Sequence, residues 1–141
     1  VGSTNFNIQR LQRLQNRAAR ILTRLPPSAS ITPVLHNLHW LPVELRIIFR
    51  MLAFVFKSIH GIGPEYLNTL VTIYVPSGTL RSGSDHYKLV SSVLGRREAR
   101  HSFQLFAPSV WNDLPYELRS KTDLGDFKGC LKTFLFRKCY D

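Results

Sequence analysis

The sequence predicts an all-α or mostly α fold: a small bundle of about five to six helices, with room for one short β-hairpin near residues 79–93. Three observations lead there. Apolar residues recur at helical spacing near both ends of the chain. A long apolar run between them starts at Pro42 and stops at Gly61, as a buried helix would. Prolines and glycines elsewhere divide the remainder into short segments rather than into alternating strands. The 141 residues suit one domain, and 44% hydrophobic with 20% charged residues is ordinary for a chain that buries a core.

The elements follow in order. NIQRLQRLQNRAARILTRL places Ile8, Leu11, Leu14, Ala18, Ile21, Leu22 and Leu25 on one helical stripe, and Pro26 and Pro27 end it. Residues 1–25 are therefore read as a basic amphipathic helix whose apolar stripe docks on the core. Thr32 caps a short helix with Pro33 in its first position. The segment from Pro42 forms the central helix, with Arg46, Arg50 and Lys57 as its wet strip. GIGP turns the chain into a further short helix, PEYLNTLV, and residues 26–74 make a helical core.

Residues 75–102 read as a Ser- and Gly-rich loop, then an extended stretch YKLVSSVL pairing near Leu80, then a basic patch. Residues 103–141 hold a short helix with aromatic anchors Phe103, Phe106 and Trp111, a turn after Pro115, and a last amphipathic helix. That helix carries the stripe Phe127, Leu131, Phe134 and Leu135, with Asp123 and Asp126 at its start and Arg137 and Lys138 at its end, as the helix dipole favours.

Nineteen Lys+Arg against nine Asp+Glu give a net charge of +10, which favours polyanionic partners, RNA or DNA first. No Asp or Glu precedes Glu44. In that acid-free stretch Arg10, Arg13, Arg17, Arg20 and Arg24 are spaced alternately three and four apart. On a helix they fall within roughly 80° of arc over about 21 Å, some 120° from the apolar stripe. A rod of that kind can meet several phosphates of a duplex at once. Arg96, Arg97 and Arg100, beside His101, form a second basic group near aromatics. Stacking of single-stranded bases is one use of such a group; core packing of Phe103, Phe106 and Trp111 is the plainer one.

Other chemistry is poorly provided for. The acids are scattered, with no adjacent Asp pair for two-metal catalysis. GIGP lacks the Lys of a phosphate loop. His36 and His39 lie three apart, but Cys130 and Cys139 are far downstream and nine apart, unlike finger or knuckle ligands. The two thiols are expected free, His39 a core or interface residue, and neither metal nor cofactor is expected. No run approaches the ~20 apolar residues of a membrane span, and no membrane partner is expected. Residue 1 is Val and the one Met is Met51, so the chain is read as a piece or a processed form.

Taken together, LQRLQNRAARILTRL, ITPVLHNLHWLPVELRIIFRMLAFVFKSIHGIGPEYL, YVPSGTLRS, SFQLFAPSVWNDLPYELRS and DFKGCLKTFLF resemble the C-terminal region of LINE-type (non-LTR) retrotransposon polyproteins. LHWLPV and APSVWNDLP are the most specific blocks. The resemblance covers essentially the whole chain and implies a segment after the polymerase core of a reverse transcriptase. It implies partners in template RNA or target DNA and in the upstream polymerase domain, within an intracellular ribonucleoprotein of nucleus or cytoplasm. The polymerase aspartates of that family lie upstream, so the chain alone is expected not to be an enzyme. The cysteine-rich finger of some clades is missing here.

Competing expectations are an interaction module packing on the polymerase domain and a decayed copy without selected function. A mitochondrial leader in residues 1–30 is a further alternative, against which the missing initiator Met and the continuous resemblance both count.

Overall fold

The computed structural model describes residues 5–75, 87–91 and 103–140. Among them the chain forms seven helices: α1 Asn5–Thr23, α2 Thr32–Asn37, α3 Val43–Ile59, α4 Glu65–Asn68, α5 Phe103–Asn112, α6 Tyr116–Arg119 and α7 Leu124–Tyr140. The mostly helical class is as the sequence predicts. Two of the seven, α4 and α6, are single turns.

α3 is the central element and packs against α1, α4, α5 and α7. Its sequence allows this because Met51, Leu52, Ala53, Val55 and Phe56 close off most of its circumference, while Arg46 and Arg50 stay in water. The main core joins α3 to α5, α6 and α7. The Phe56 ring stacks on Phe127 at 4.5 Å, and Trp111 meets Phe127 at 5.7 Å. Phe127, Leu131 and Leu135 face inward with Phe134 half-buried, which is the stripe read from the sequence. Phe103 and Phe106, half-buried, pack on this core too, as the plainer reading of them expects. A second, smaller core of Ala19, Val34 and Leu35 ties α1 and α2 to Tyr140 at the end of α7.

Three helix ends share one device. After α1, α2 and α3 the chain bends through a left-handed residue: Arg24 (φ 54°), His39 (φ 53°) and Gly61 (φ 65°). In each, the next residue's N–H reaches back five residues: Leu25 to the Arg20 carbonyl, Trp40 to Leu35, and Ile62 to Lys57. The left-handed residue's own N–H reaches back three, to Ile21, His36 and Ser58. These paired bonds satisfy the last carbonyls of each helix. Glycine is the usual residue at such a position, yet only one of the three is glycine. α1 thus stops at Thr23, before the prolines that mark its end in the sequence.

The extended stretch pairs differently from the expectation. Leu89 forms one isolated antiparallel bridge with Ile73, with Tyr74 N–H donating to the Lys88 carbonyl and Val90 N–H to the Thr72 carbonyl, both at 2.8 Å. Leu80 and most of the hairpin expected over 79–93 lie outside the described residues. The bridge is held from the other side by α5. The Asn112 amide accepts from Leu89 N–H and donates to its carbonyl, at 2.8 and 2.9 Å. Trp111 Nε1 donates to the Tyr87 carbonyl at 2.7 Å. The WN pair therefore does for this segment what a neighbouring strand would do. No helix among the described residues is long and apolar enough to cross a membrane.

Candidate nucleic-acid interface

α1 has three faces, and the one that docks is not the apolar one. The residues turned toward α2 and α3 are Ile8, Gln12, Gln15, Asn16 and Ala19. Gln15 Nε2 donates to the Leu41 carbonyl at 2.9 Å. Gln12 Oε1 accepts from Val43 N–H at 2.8 Å. That N–H is one of the unpaired donors at the start of α3, where Pro42 has no side-chain acceptor to offer. Gln12 thus caps α3 from another helix. Ala19 is fully buried, and its small side chain lets the helices approach.

Apart from Ile8, the apolar stripe expected to dock faces solvent instead. Leu14 is 63%, Ile21 70% and Leu22 64% exposed, and Leu11 and Leu25 are exposed beside them. The expectation that this stripe packs on the core is overturned. Periodicity identifies an amphipathic helix, but two glutamines that match backbone groups of the α2–α3 turn decide which face is covered.

The arginines form the third face. Arg10, Arg13 and Arg17 are exposed along α1, and Arg20 is half-buried. Arg24 stands beyond the last helical residue, so four of the five share the helix surface and the fifth is placed by the left-handed turn. That turn changes the geometry of the row. Arg17, Arg20 and Arg24, with Ile21, Leu25 and Pro27, line an open hollow of about 620 Å³. Arg20 is held there by a bond from its Nη2 to the Ala29 carbonyl at 3.2 Å, and its Nε is buried with no acceptor among the described residues. No carboxylate of the described residues pairs with any of the five. Arg20 and Arg24 also lie at the negative end of the α1 dipole, which favours cations there. Arg96, Arg97 and Arg100 lie outside the described residues.

A second basic surface was not legible as a unit. His39, Trp40, Leu41, Arg46, Phe49 and Lys132 line a hollow of about 300 Å³ between the α2–α3 turn and α7. The Arg46 guanidinium lies 5.7 Å from the Trp40 ring centre. His39 stacks on Phe136 at 5.6 Å and 15° and is exposed, so it is not a core histidine. Tyr140 Oη donates to the Trp40 carbonyl at 2.7 Å. Only the adjacency of His39 and Trp40 signals this site in the sequence; Lys132 comes from the other end of the chain. Cys130 and Cys139 are free and exposed. No group of three or more His, Cys, Asp or Glu comes together among the described residues.

Fold and surface define the class: a small, mostly helical domain with an arginine-lined first helix. No protein family, curated protein or solved structure matches this chain.

Proposed function

We propose that this chain is a non-catalytic nucleic-acid-binding domain, of the kind that follows the polymerase core in LINE-type reverse transcriptases and helps hold template RNA or target DNA. The observation that carries the reading is the arginine face of α1. Four guanidiniums stand there and Arg24 just beyond it, none paired with a carboxylate among the described residues, and three of the five surround one hollow. Guanidinium forks match phosphate oxygens, and a row of them releases counterions from a nucleic-acid backbone.

The test is a salt series with labelled single-stranded RNA and duplex DNA. It compares the wild type with a variant in which Arg10, Arg13, Arg17, Arg20 and Arg24 are all Gln. Removing one phosphate-bound cation lowers the salt slope by about 0.7–0.9. The wild type should bind with a steep slope, and the slope of the variant should be shallower by several units. Equal, weak binding by both would sink the reading.

A second reading has its own observation. The exposed stripe of Leu14, Ile21 and Leu22 supports docking of α1 on another protein surface, such as the upstream polymerase domain. Changing those three residues to Gln would then abolish association with that domain while leaving RNA binding intact.

A further inference from the structure

The hollow between the α2–α3 turn and α7 joins features that the arginine row does not have. Its wall is aromatic, from Trp40 and Phe49, with His39 at the edge. Its cations, Arg46 and Lys132, come from two different helices and converge on that wall. No carboxylate of the described residues lines it. Its volume of about 300 Å³ lies at the small end of ligand pockets.

The backbone at its rim is also unusual. His39 is held at φ 53°, where a side chain is disfavoured and glycine is the ordinary choice. The residue that turns the chain there is thus not the one that turns it best. An imidazole stands at the rim instead, stacked on Phe136 and with Nδ1 3.2 Å from the Asn37 carbonyl. Strain retained at a surface residue points to a role for its side chain.

We propose that this hollow seats one unpaired nucleotide of a single strand, its base against the Trp40–His39–Phe49 wall and its phosphate on Arg46 and Lys132. A flat π-face beside an anion is the chemistry these residues fit together. A duplex keeps its bases stacked inside and cannot offer one to a concave site of this size. Phosphotyrosine has the same two groups, but the neighbouring helix favours a polyanion. Leu41, which lines the hollow, accepts the Gln15 bond from α1, so the arginine-bearing helix is anchored next to the site. The proposal rests on the nucleic-acid reading and adds strand type and a base-contacting site.

Trp fluorescence tests it on the full chain. Trp111 is fully buried and bonded to Tyr87, whereas Trp40 is half-buried at the hollow. Titration with an oligouridylate RNA should quench Trp40, and Trp40→Phe should remove the signal. An abasic ribose-phosphate oligomer of equal length should bind without quenching. His39→Gly relieves the backbone and should leave the melting temperature unchanged or higher, yet weaken RNA binding about tenfold, the scale of one base stack. The double variant Arg46→Gln, Lys132→Gln should do the same.

If RNA binds with the salt slope of the arginine row, but neither quenching nor these variants have an effect, the pocket proposal fails and the nucleic-acid reading stands. If RNA does not bind in either assay, both fail. Quenching by a phosphotyrosine peptide and not by RNA also overturns it.

Discussion

Arg24 and His39 carry the most information per residue. Each terminates a helix in the left-handed region that costs a side chain roughly 1–2 kcal/mol. Arg24→Gly should therefore raise the unfolding free energy by about 1 kcal/mol, read from the urea midpoint at constant slope. Gly61→Ala, at the same position after α3, should lower it by a similar amount, because nothing lies within 4 Å of the added Cβ and backbone strain alone is left. A gain on Gly61→Ala would refute the account of all three helix ends. Gln12 is the second telling residue. Gln12→Ala leaves the Val43 N–H without its acceptor and should cost about 1 kcal/mol, the size of an ordinary N-cap deletion. Pro26 and Pro27 require α1 to end before residue 26. Nothing in them requires an arginine to make the turn, because that depends on the paired bonds back to Arg20 and Ile21.

At the scale of the element, α1 shows how far periodicity reaches. A stripe of Leu and Ile at helical spacing gave the helix its existence and nearly its bounds. It did not say which face is covered. A glutamine pair that bonds the α2–α3 turn, with Ala19 allowing close approach, puts the polar face inward and the apolar face outward. Surface changes away from caps and cores move stability by about 0.5 kcal/mol or less. Changing Leu14, Ile21 and Leu22 together to Gln should therefore leave thermal unfolding almost unmoved. Ala19→Leu should cost about 1–3 kcal/mol by overpacking. The opposite ranking in a melting experiment would restore the stripe to the core. α5 makes a parallel case. Its aromatic anchors were legible, whereas the Asn112 clamp on Leu89 was not, since it joins residues 23 apart.

For the whole molecule, the closure of α7 over α3 is decisive. Phe127, fully buried between Phe56 and Trp111, should cost about 3–5 kcal/mol when truncated to Ala, enough to unfold much of a marginal domain. The far end of α7 is closed by Tyr140, whose hydroxyl reaches Trp40 across 100 positions of sequence. Burial pushes the Tyr140 phenol above its ordinary range, with Cys139 adding to the rise and Arg46 opposing it. The Cys139 thiol, exposed but partly desolvated beside Tyr140, is raised in the same direction. Both groups hold their protons more tightly when folded. The stability they contribute is complete below their unfolded values, about 8.5 for Cys and 10 for Tyr. It is lost as pH rises through the raised folded values. Unfolding free energy should therefore fall in alkali, and Tyr140→Phe should flatten the upper part of that fall. A wild type whose stability is constant through that range would contradict this linkage.

The sequence by itself determined the helical class, the central helix after Pro42, the inward stripe of α7 and the basic character of α1. These rest on local spacing, on proline and glycine chemistry and on charge, all of which act between near neighbours. The tertiary structure alone decided which face of α1 is covered, how Arg17, Arg20 and Arg24 gather at one hollow, and that His39, Trp40, Arg46 and Lys132 share another. These depend on backbone groups and side chains that meet only after the chain has folded, across separations that no periodicity records.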